Sequence, residues 1–266
     1  MNFIPYTPQD QDRQESPIPF TETNGCMSFA CVHNLEIQEK VFYGNEVDYS
    51  EQIVCVGSGT SSQTGNSLAN VFNWIKAHGL VRTSVSPEPV DFTLKQFYTI
   101  PSPILVASGA LWLDQWDVST SLVAGNGGYP LTSAQKQVVF NSLTETPTLI
   151  TIDLNVDSAG TPTSNDHQFH EVVLLNTNGD YFDSYSTLIK NLNQCKIYYA
   201  NKLIIRPKCV TNSLFVHKNN TQEFGYYLPA LSEDALKDKA LNLGLNIINS
   251  DGTINFNLAK QITIQG

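Results

Sequence analysis

Hydrophobic positions spaced three and four residues apart predict several helices in the first half of the chain. The longest runs from Cys26 to Glu39 and places its apolar side chains for burial. A second covers Ser67 to His78, followed by Gly79 where a helix commonly ends. Ser133 to Leu143 predicts a third helix, opened by Thr132 or Ser133, and Ser50 to Val56 predicts a short helix or turn.

The second half of the chain has the pattern of successive strands. The segments with strand character are Thr148–Leu154, His170–Asn176, Asp180–Tyr185, Lys196–Tyr199 and Lys202–Arg206. Asn178-Gly179 is a typical hairpin turn between the second and the third. Residues 1–24 predict an extended arm, and residues 80–131 predict no long helix. Helices followed by antiparallel strands indicate an α+β fold.

The character of the chain changes after Pro207. We predict one domain over residues 1–210 and a small α/β appendage over residues 211–266, with a strand pair (Ser213–His217, Glu223–Leu228) and a helix (Ser232–Leu243). Fewer than about 60 residues rarely form a core of their own. The appendage is therefore interpreted as a targeting or oligomerisation module, with a cover on the main domain as an equal alternative.

Charge and cysteine content narrow the possible functions. The formal net charge is −10, which disfavours nucleic acid as a partner and suits a basic substrate or partner. Five cysteines without a CxxC pair predict no disulfide framework, no metal site and a reducing compartment. The chain shows no apolar run long enough to span a membrane and no signal-peptide pattern. We therefore expect a cytoplasmic location in the producing cell, with incorporation into a virion as a further alternative.

Three residues are candidates for nucleophilic catalysis. Cys26 lies at the predicted start of a helix, where the helix dipole favours a thiolate. His170 enters a predicted strand from a polar loop, and His167 in that loop is an alternative base. Asp183 follows on the next strand, where it can orient the imidazole. In the order Cys, His, Asp these residues predict an activated-nucleophile triad.

Several segments around these residues resemble the papain-like cysteine peptidases, in the same order along the chain. Those segments are Asn24–Ala30 (the nucleophile helix), Tyr49–Gln52, Gly65–Leu68 running into Val71–Ile75, His170–Leu175 and Tyr181–Tyr185. His170 follows Cys26 by 144 residues, within the roughly 130–150 that are typical of papain-like enzymes. The resemblance covers about residues 15–206 and suggests a divergent member of bacterial or bacteriophage type without a propeptide.

The resemblance implies a papain-like fold, in which a helical half and an antiparallel sheet or barrel half enclose the active-site cleft. It makes Cys26 the nucleophile, His170 the base and Asp183 the orienting residue in place of the usual asparagine. Met27 and Tyr185 stand where the family has tryptophans, and Gly65 and Asn66 are expected to line the substrate cleft. No cofactor or metal is implied.

The oxyanion hole departs from the family pattern. Phe20 stands where papain-like enzymes carry a glutamine donor. Losing one such donor typically lowers the rate about a hundred- to a thousandfold. Asn24 and Gln14 are the candidate replacements, because both side-chain amides can donate a hydrogen bond.

The leading hypothesis is a hydrolase that cleaves peptide amide bonds, in proteins or in peptidoglycan stem peptides, through a Cys-His-Asp triad. A second hypothesis is a weakly active or inactive papain-like structural or binding protein, such as a phage virion or cell-surface component. A third is transglutaminase- or deamidase-like acyl transfer by the same triad. Under any of the hypotheses, residues 211–266 are a candidate site for self-association or for a virion partner.

Overall fold

The computed structural model describes residues 1–6, 15–16, 21–87, 92–154, 168–192, 195–208, 215–216 and 226–227. The chain forms two compact units. The first comprises Met1–Phe42 with Glu46–Arg206, and the second comprises Tyr43–Asn45 with Pro207–Gly266. Within its described residues, the second unit holds an antiparallel pair of two-residue strands, Phe215–Val216 (β9) and Tyr226–Tyr227 (β10). The role of residues 211–266 stays a prediction, and the predicted helix at 232–243 lies outside the described residues.

Helices occupy most of the first half of the main unit. They are Cys26–Tyr43 (α1), Glu51–Gly57 (α2), Leu68–His78 (α3), Leu94–Phe97 (α4), Pro103–Ser108 (α5), Ala110–Gln115 (α6) and Ser133–Ser142 (α7). The sequence-based helices are confirmed to within a few residues. Side-chain caps explain the starts of α2, α3 and α7, because Ser50, Ser67 and Thr132 each accept a hydrogen bond from a first-turn N–H group.

The strands confirm the α+β class. They are Glu15–Ser16 (β1), Thr21–Glu22 (β2), Trp116–Gly125 (β3), Thr148–Asp153 (β4), Phe169–Leu174 (β5), Asp180–Asp183 (β6), Ser186–Asn191 (β7) and Ile197–Pro207 (β8). Six of them form one sheet in the order β3-β8-β4-β5-β6-β7, and β1 pairs with β2. In the described parts of the chain, no helix has both the length and the apolar character needed to cross a membrane.

Four local predictions were wrong or incomplete. The extended arm contains a short 3-10 helix, Ile4–Tyr6, and the β1–β2 hairpin. β3 and β7 lie at the two edges of the sheet and were not predicted, although Trp116 and Val118 are buried in alternation with exposed neighbours. The two predicted strands around Ala200 are one strand, β8, because β4 pairs with it continuously except for a register shift. Backbone pairing thus overrides the polar break in the sequence.

Helix α1 packs against the sheet through a buried amide. Gln38 donates from Nε2 to the Leu203 carbonyl at 2.7 Å and accepts at Oε1 from the Ile205 N–H group at 3.2 Å. The same Nε2 lies 2.6 Å from Asn34 Oδ1, one turn earlier on α1. Because Gln38 is 1 % exposed, these bonds satisfy buried polar groups of both β8 and α1. They fix the helix that begins at Cys26 against the sheet.

Candidate active site

Cys26 is the first residue of α1 and is half-buried. The carbonyl of Gly25 accepts from the N–H groups of Ser28 and Phe29, at 2.8 and 3.1 Å, and so opens the helix directly before the thiol. A β-carbon at Gly25 would lie 3.0 Å from the Phe29 ring and 3.1 Å from Cys55 Sγ, so the close packing there favours glycine. The thiol therefore lies at the positive end of the α1 dipole.

His170 and Asp183 form a buried pair on adjacent antiparallel strands. His170 Nε2 lies 2.8 Å from Asp183 Oδ1, and each side chain is 2 % exposed. Burial raises the pKa of the Asp183 carboxyl, but the hydrogen bond and charge of His170, together with hydrogen bonds from Lys190 and the Tyr185 N–H group, outweigh it and bring the pKa down to about 2. The carboxylate is therefore ionised at neutral pH.

The imidazole of His170 also meets the Cys26 thiol. Burial lowers the pKa of His170, but its hydrogen bonds with Asp183 and Cys26, together with their charges, raise that pKa to about 9. Since Nε2 is bonded to Asp183, Nδ1 is the ring nitrogen left for Cys26. The structure thus brings together the three residues predicted to form a triad. His167, the alternative base, lies outside the described residues.

Tyr185 covers the imidazole. Its ring stacks on that of His170 with centroids 4.7 Å apart and an interplanar angle of 28°. Its backbone N–H donates to Asp183 Oδ1 at 3.0 Å, and its hydroxyl donates to Glu22 Oε1. One residue therefore shields the histidine and helps to hold the carboxylate. Met27, which was expected to line the substrate cleft, is half-buried next to Cys26.

The glycine- and serine-rich segment 57–66 contacts Asn24, which lies two residues before Cys26. Asn24 Nδ2 donates to the Ser62 carbonyl at 3.1 Å, and a β-carbon at Gly65 would lie 3.6 Å from the Asn24 carbonyl oxygen. Asn66 instead stabilises the segment itself, because its Nδ2 donates to Ser58 O, Ser58 Oγ and Thr60 Oγ1. The roles of Gly65 and Asn66 in binding substrate stay predictions.

Of the two candidate oxyanion donors, Asn24 is among the described residues. Asn24 is half-buried, and its backbone adopts φ 53°, a left-handed conformation that asparagine tolerates better than most residues. Its Nδ2 has a second hydrogen beyond the one donated to Ser62. Gln14 and Phe20 lie outside the described residues.

Sequence reasoning missed a buried carboxyl next to the candidate base. Glu171 is 2 % exposed and lies on β5 directly after His170. Burial raises its pKa to about 7, although Thr151 Oγ1 donates to its Oε2 at 2.7 Å. The only signal in the sequence was an ionisable residue inside an apolar strand.

A second buried polar group links α1 and α2. His33, Glu36 and Glu51 have their ligand atoms within 4.8 Å of one another and are the one such metal-competent group among the described residues. His33 Nε2 lies 3.0 Å from Glu51 Oε1, and Glu36 accepts from the Tyr49 N–H group at 2.8 Å. Burial lowers the pKa of His33 to about 3, so its contact with Glu51 is a hydrogen bond between a neutral ring and a carboxyl group. These bonds give all three residues a structural role.

Comparison with known proteins identifies the fold of the chain. No family model matches the sequence, and no curated protein matches it either. Among solved structures, the chain is similar to xylellain, a cysteine protease from Xylella fastidiosa, with a TM-score of 0.50 and 11 % identity over 79 % of this chain and 85 % of xylellain. The chain has a papain-like fold.

Two plant enzymes also match, with lower scores. A cysteine protease from Carica candamarcensis gives a TM-score of 0.45 and 13 % identity over 78 % of this chain and 96 % of its own. The bromelain protease of Ananas comosus gives 0.44 and 12 % over 78 % and 97 %. In this papain-like fold, helices lead and the antiparallel sheet follows, as the sequence predicted.

Proposed function

We propose that the chain is a cysteine peptidase in which Cys26 is the nucleophile, His170 the general acid and base, and Asp183 the residue that orients the imidazole. One observation carries this proposal. The buried imidazole of His170 is hydrogen-bonded through Nε2 to the Asp183 carboxylate, and its pKa is raised in part by interactions with the Cys26 thiol, which lies at a helix N-terminus. That arrangement favours a thiolate–imidazolium pair, which is the activated form of a cysteine nucleophile.

The reaction follows from the positions of these groups. The Cys26 thiolate attacks the peptide carbonyl carbon, and the π electrons of the C=O bond move to the oxygen. When the oxyanion collapses, the C–N bond breaks and the imidazolium gives its Nδ1 proton to the departing amine. A water molecule then attacks the thioester while His170 accepts its proton. The C–S bond then breaks with its electron pair going to sulfur, which releases the carboxylic acid and restores the Cys26 thiolate beside the protonated His170.

Stabilisation of the oxyanion comes from the start of α1. The first N–H groups of a helix have no acceptor within the helix, so the backbone N–H of Cys26 is positioned to donate to the developing charge. We propose the Asn24 amide as the second donor, through its remaining hydrogen. Gln14 stays an alternative.

The proposed substrates are peptide amide bonds in proteins or in peptidoglycan stem peptides. The formal net charge of −10 favours a substrate with basic groups, because opposite charge speeds the encounter. Residues 211–266 are proposed to attach the enzyme to a partner, such as a virion. An assay on basic peptides, acidic peptides and purified peptidoglycan separates these substrate classes.

The test combines labelling with turnover. A thiol-reactive peptidyl inhibitor should modify one cysteine, identified by peptide mapping as Cys26, and C26A should lose both labelling and peptide hydrolysis. The matched control is C195A, since Cys195 is a half-buried free thiol outside the proposed site. We expect C195A to retain activity. Absence of labelling in the folded, reduced protein would rule out an activated Cys26.

The products distinguish the two other chemistries. If Cys26 is labelled but added amines replace water in the products, the thioester is used for acyl transfer. If Cys26 is labelled and glutamine side chains are converted to glutamate without chain cleavage, the enzyme is a deamidase.

A further inference from the structure

The orienting carboxylate has a second strong partner in Lys190. Asp183 Oδ1 is bonded to His170 Nε2 and to the Tyr185 N–H group, while Asp183 Oδ2 accepts from Lys190 Nζ at 2.7 Å. The carboxylate is 2 % exposed and the lysine side chain 39 %. The histidine and the lysine therefore approach different oxygens of one buried carboxylate.

The hairpin of β6 and β7 produces this contact. Tyr181 lies opposite Lys190, and Asp183 lies opposite Ser186, with a register shift between the two pairs. Residues two apart on a strand share a face, so Asp183 and Tyr181 lie on the same side of β6. A long lysine side chain opposite Tyr181 can reach the residue diagonal to it. The ammonium thus meets the carboxylate while its outer side remains in solvent.

Charges alternate in sign along this row of contacts. In the activated state Cys26 is negative, His170 positive, Asp183 negative and Lys190 positive. An unbalanced carboxylate beside the imidazolium would hold the proton too tightly for transfer to a departing amine. A carboxylate paired with a lysine is close to neutral overall, yet it keeps the oxygen that orients the ring.

We propose that Lys190 is a positioning residue of the Cys26–His170 pair. Its positive charge neutralises Asp183, so an Asp183 oxygen still orients the imidazole but the carboxylate charge stabilises the imidazolium less. This inference rests on the proposed function. It assigns Lys190 no contact with substrate.

Other titratable groups lie close to the same carboxylate. From α1, His33 interacts with the charge of Asp183, but burial keeps its pKa at about 3 and it is neutral at the pH of interest. From β6, burial and the Asp183 charge raise the pKa of Tyr181, so it too is neutral. Glu22 lies on the far side of Tyr185, bonded to its hydroxyl. From β5, the buried Glu171 carboxyl interacts with the charge of His170, and its pKa is about 7. None of these groups supplies the positive charge that Lys190 brings.

The experiment is an NMR titration of the His170 imidazole in the full chain under reducing conditions. In K190Q the midpoint should rise by roughly half a pH unit to one pH unit, because a nearby positive charge is lost. In D183N the midpoint should fall, because the negative charge beside the imidazolium is lost while the positive charge of Lys190 remains. In D183N/K190Q both charges are gone, and the midpoint should return between those of the single variants.

Two further variants separate charge from structure. K190R keeps the charge and should titrate like the unchanged protein. K202Q removes a lysine of another lysine–carboxylate pair, Lys202 with Glu145, on β8, away from β6 and β7 in the sheet. It should leave the midpoint unchanged. Either of two results would overturn the role of Lys190. The His170 midpoint in K190Q could equal that in K202Q, or the midpoint in K190R could shift as far as that in K190Q.

The pH profile of kcat/KM is the second readout. The alkaline limb should move upward in K190Q by the same amount as the NMR midpoint, since His170 must be protonated to assist the departing amine. If peptide hydrolysis is absent while the midpoints move as expected, the proposed function fails and the role of Lys190 in setting the imidazole stands. If hydrolysis is present and the midpoints do not move, only the role of Lys190 fails.

Discussion

The Tyr185 ring lies nearly parallel to the imidazole of His170, at a centroid separation of 4.7 Å. The same residue donates its backbone N–H to Asp183 and its hydroxyl to Glu22. Backbone bonding to Asp183 does not depend on the side chain, whereas the stack and the Glu22 bond do. Substitutions at Tyr185 can therefore separate shielding of the histidine from attachment to Glu22.

We expect Y185A to lower kcat/KM about three- to tenfold, because aromatic stacking contributes roughly 0.5–1.5 kcal/mol. Y185F keeps the stack and removes only the hydroxyl, so it should stay within about twofold of the unchanged enzyme. Steady-state kinetics on one peptide substrate checks both. Equal losses in the two variants would mean that the bond to Glu22, rather than the stack, is what matters.

Asn24 combines a left-handed backbone with an amide hydrogen beyond the one donated to Ser62, and two substitutions distinguish these features. If the amide stabilises the oxyanion, N24G and N24A should both lower kcat about a hundred- to a thousandfold. If only the backbone at φ 53° matters, N24G should be active and N24A impaired, since glycine adopts that conformation without strain. We expect the first result. Thermal unfolding of both variants shows whether strain contributes.

Glu171 should make stability depend on pH below neutrality. Its pKa is about 7 in the folded chain, raised by burial above the ordinary value of 4.5. Between these values the folded state binds more protons than the unfolded state, so its stability falls as pH rises from about 4.5 to 7. The free energy of unfolding of E171Q, taken relative to that of the unchanged protein, should therefore be about 2–3 kcal/mol higher at pH 8 than at pH 5.

Urea unfolding of E171Q and the unchanged protein at the two pH values measures that difference. T151V is the control variant. It removes the hydrogen bond that Thr151 donates to Glu171 Oε2 but keeps the ionisable carboxyl, so the dependence of stability on pH should remain. A stability gap between E171Q and the unchanged protein that is the same at pH 5 and pH 8 would contradict ionisation of Glu171 in this range.

Gln38 should be among the residues most sensitive to substitution outside the active site. Q38L fills the space but leaves the Leu203 carbonyl and the Ile205 N–H group without their buried partner. We expect a loss of about 2–4 kcal/mol in the free energy of unfolding. Q38E keeps the oxygen that accepts from Ile205 but loses the donor to the Leu203 carbonyl. Its free energy of unfolding, measured with denaturant, should therefore also be lower than that of the unchanged protein. A stable Q38L would contradict the link between α1 and β8.

Part of the architecture was predictable because local rules decide it. Apolar residues at helical spacing and capping residues such as Ser50 and Ser67 define α1 to α3 without reference to the rest of the chain. The turn at Asn178-Gly179, with Gly179 at φ 87°, determines that His170 and Asp183 lie on adjacent antiparallel strands. Edge strands were missed, since β7 owes its position to pairing with β6.

Residue type, periodicity and turn chemistry are local properties, so they were enough to nominate candidate catalytic residues and to predict the elements that carry them. They placed a cysteine at a helix start, a histidine on one strand and an aspartate on the next. The ion pair of Lys190 with that aspartate, the Tyr185 ring over the histidine and the buried Glu171 carboxyl with its raised pKa became visible in the folded structure alone. Charge balance and burial depend on which side chains meet across the fold, and no local pattern encodes those meetings.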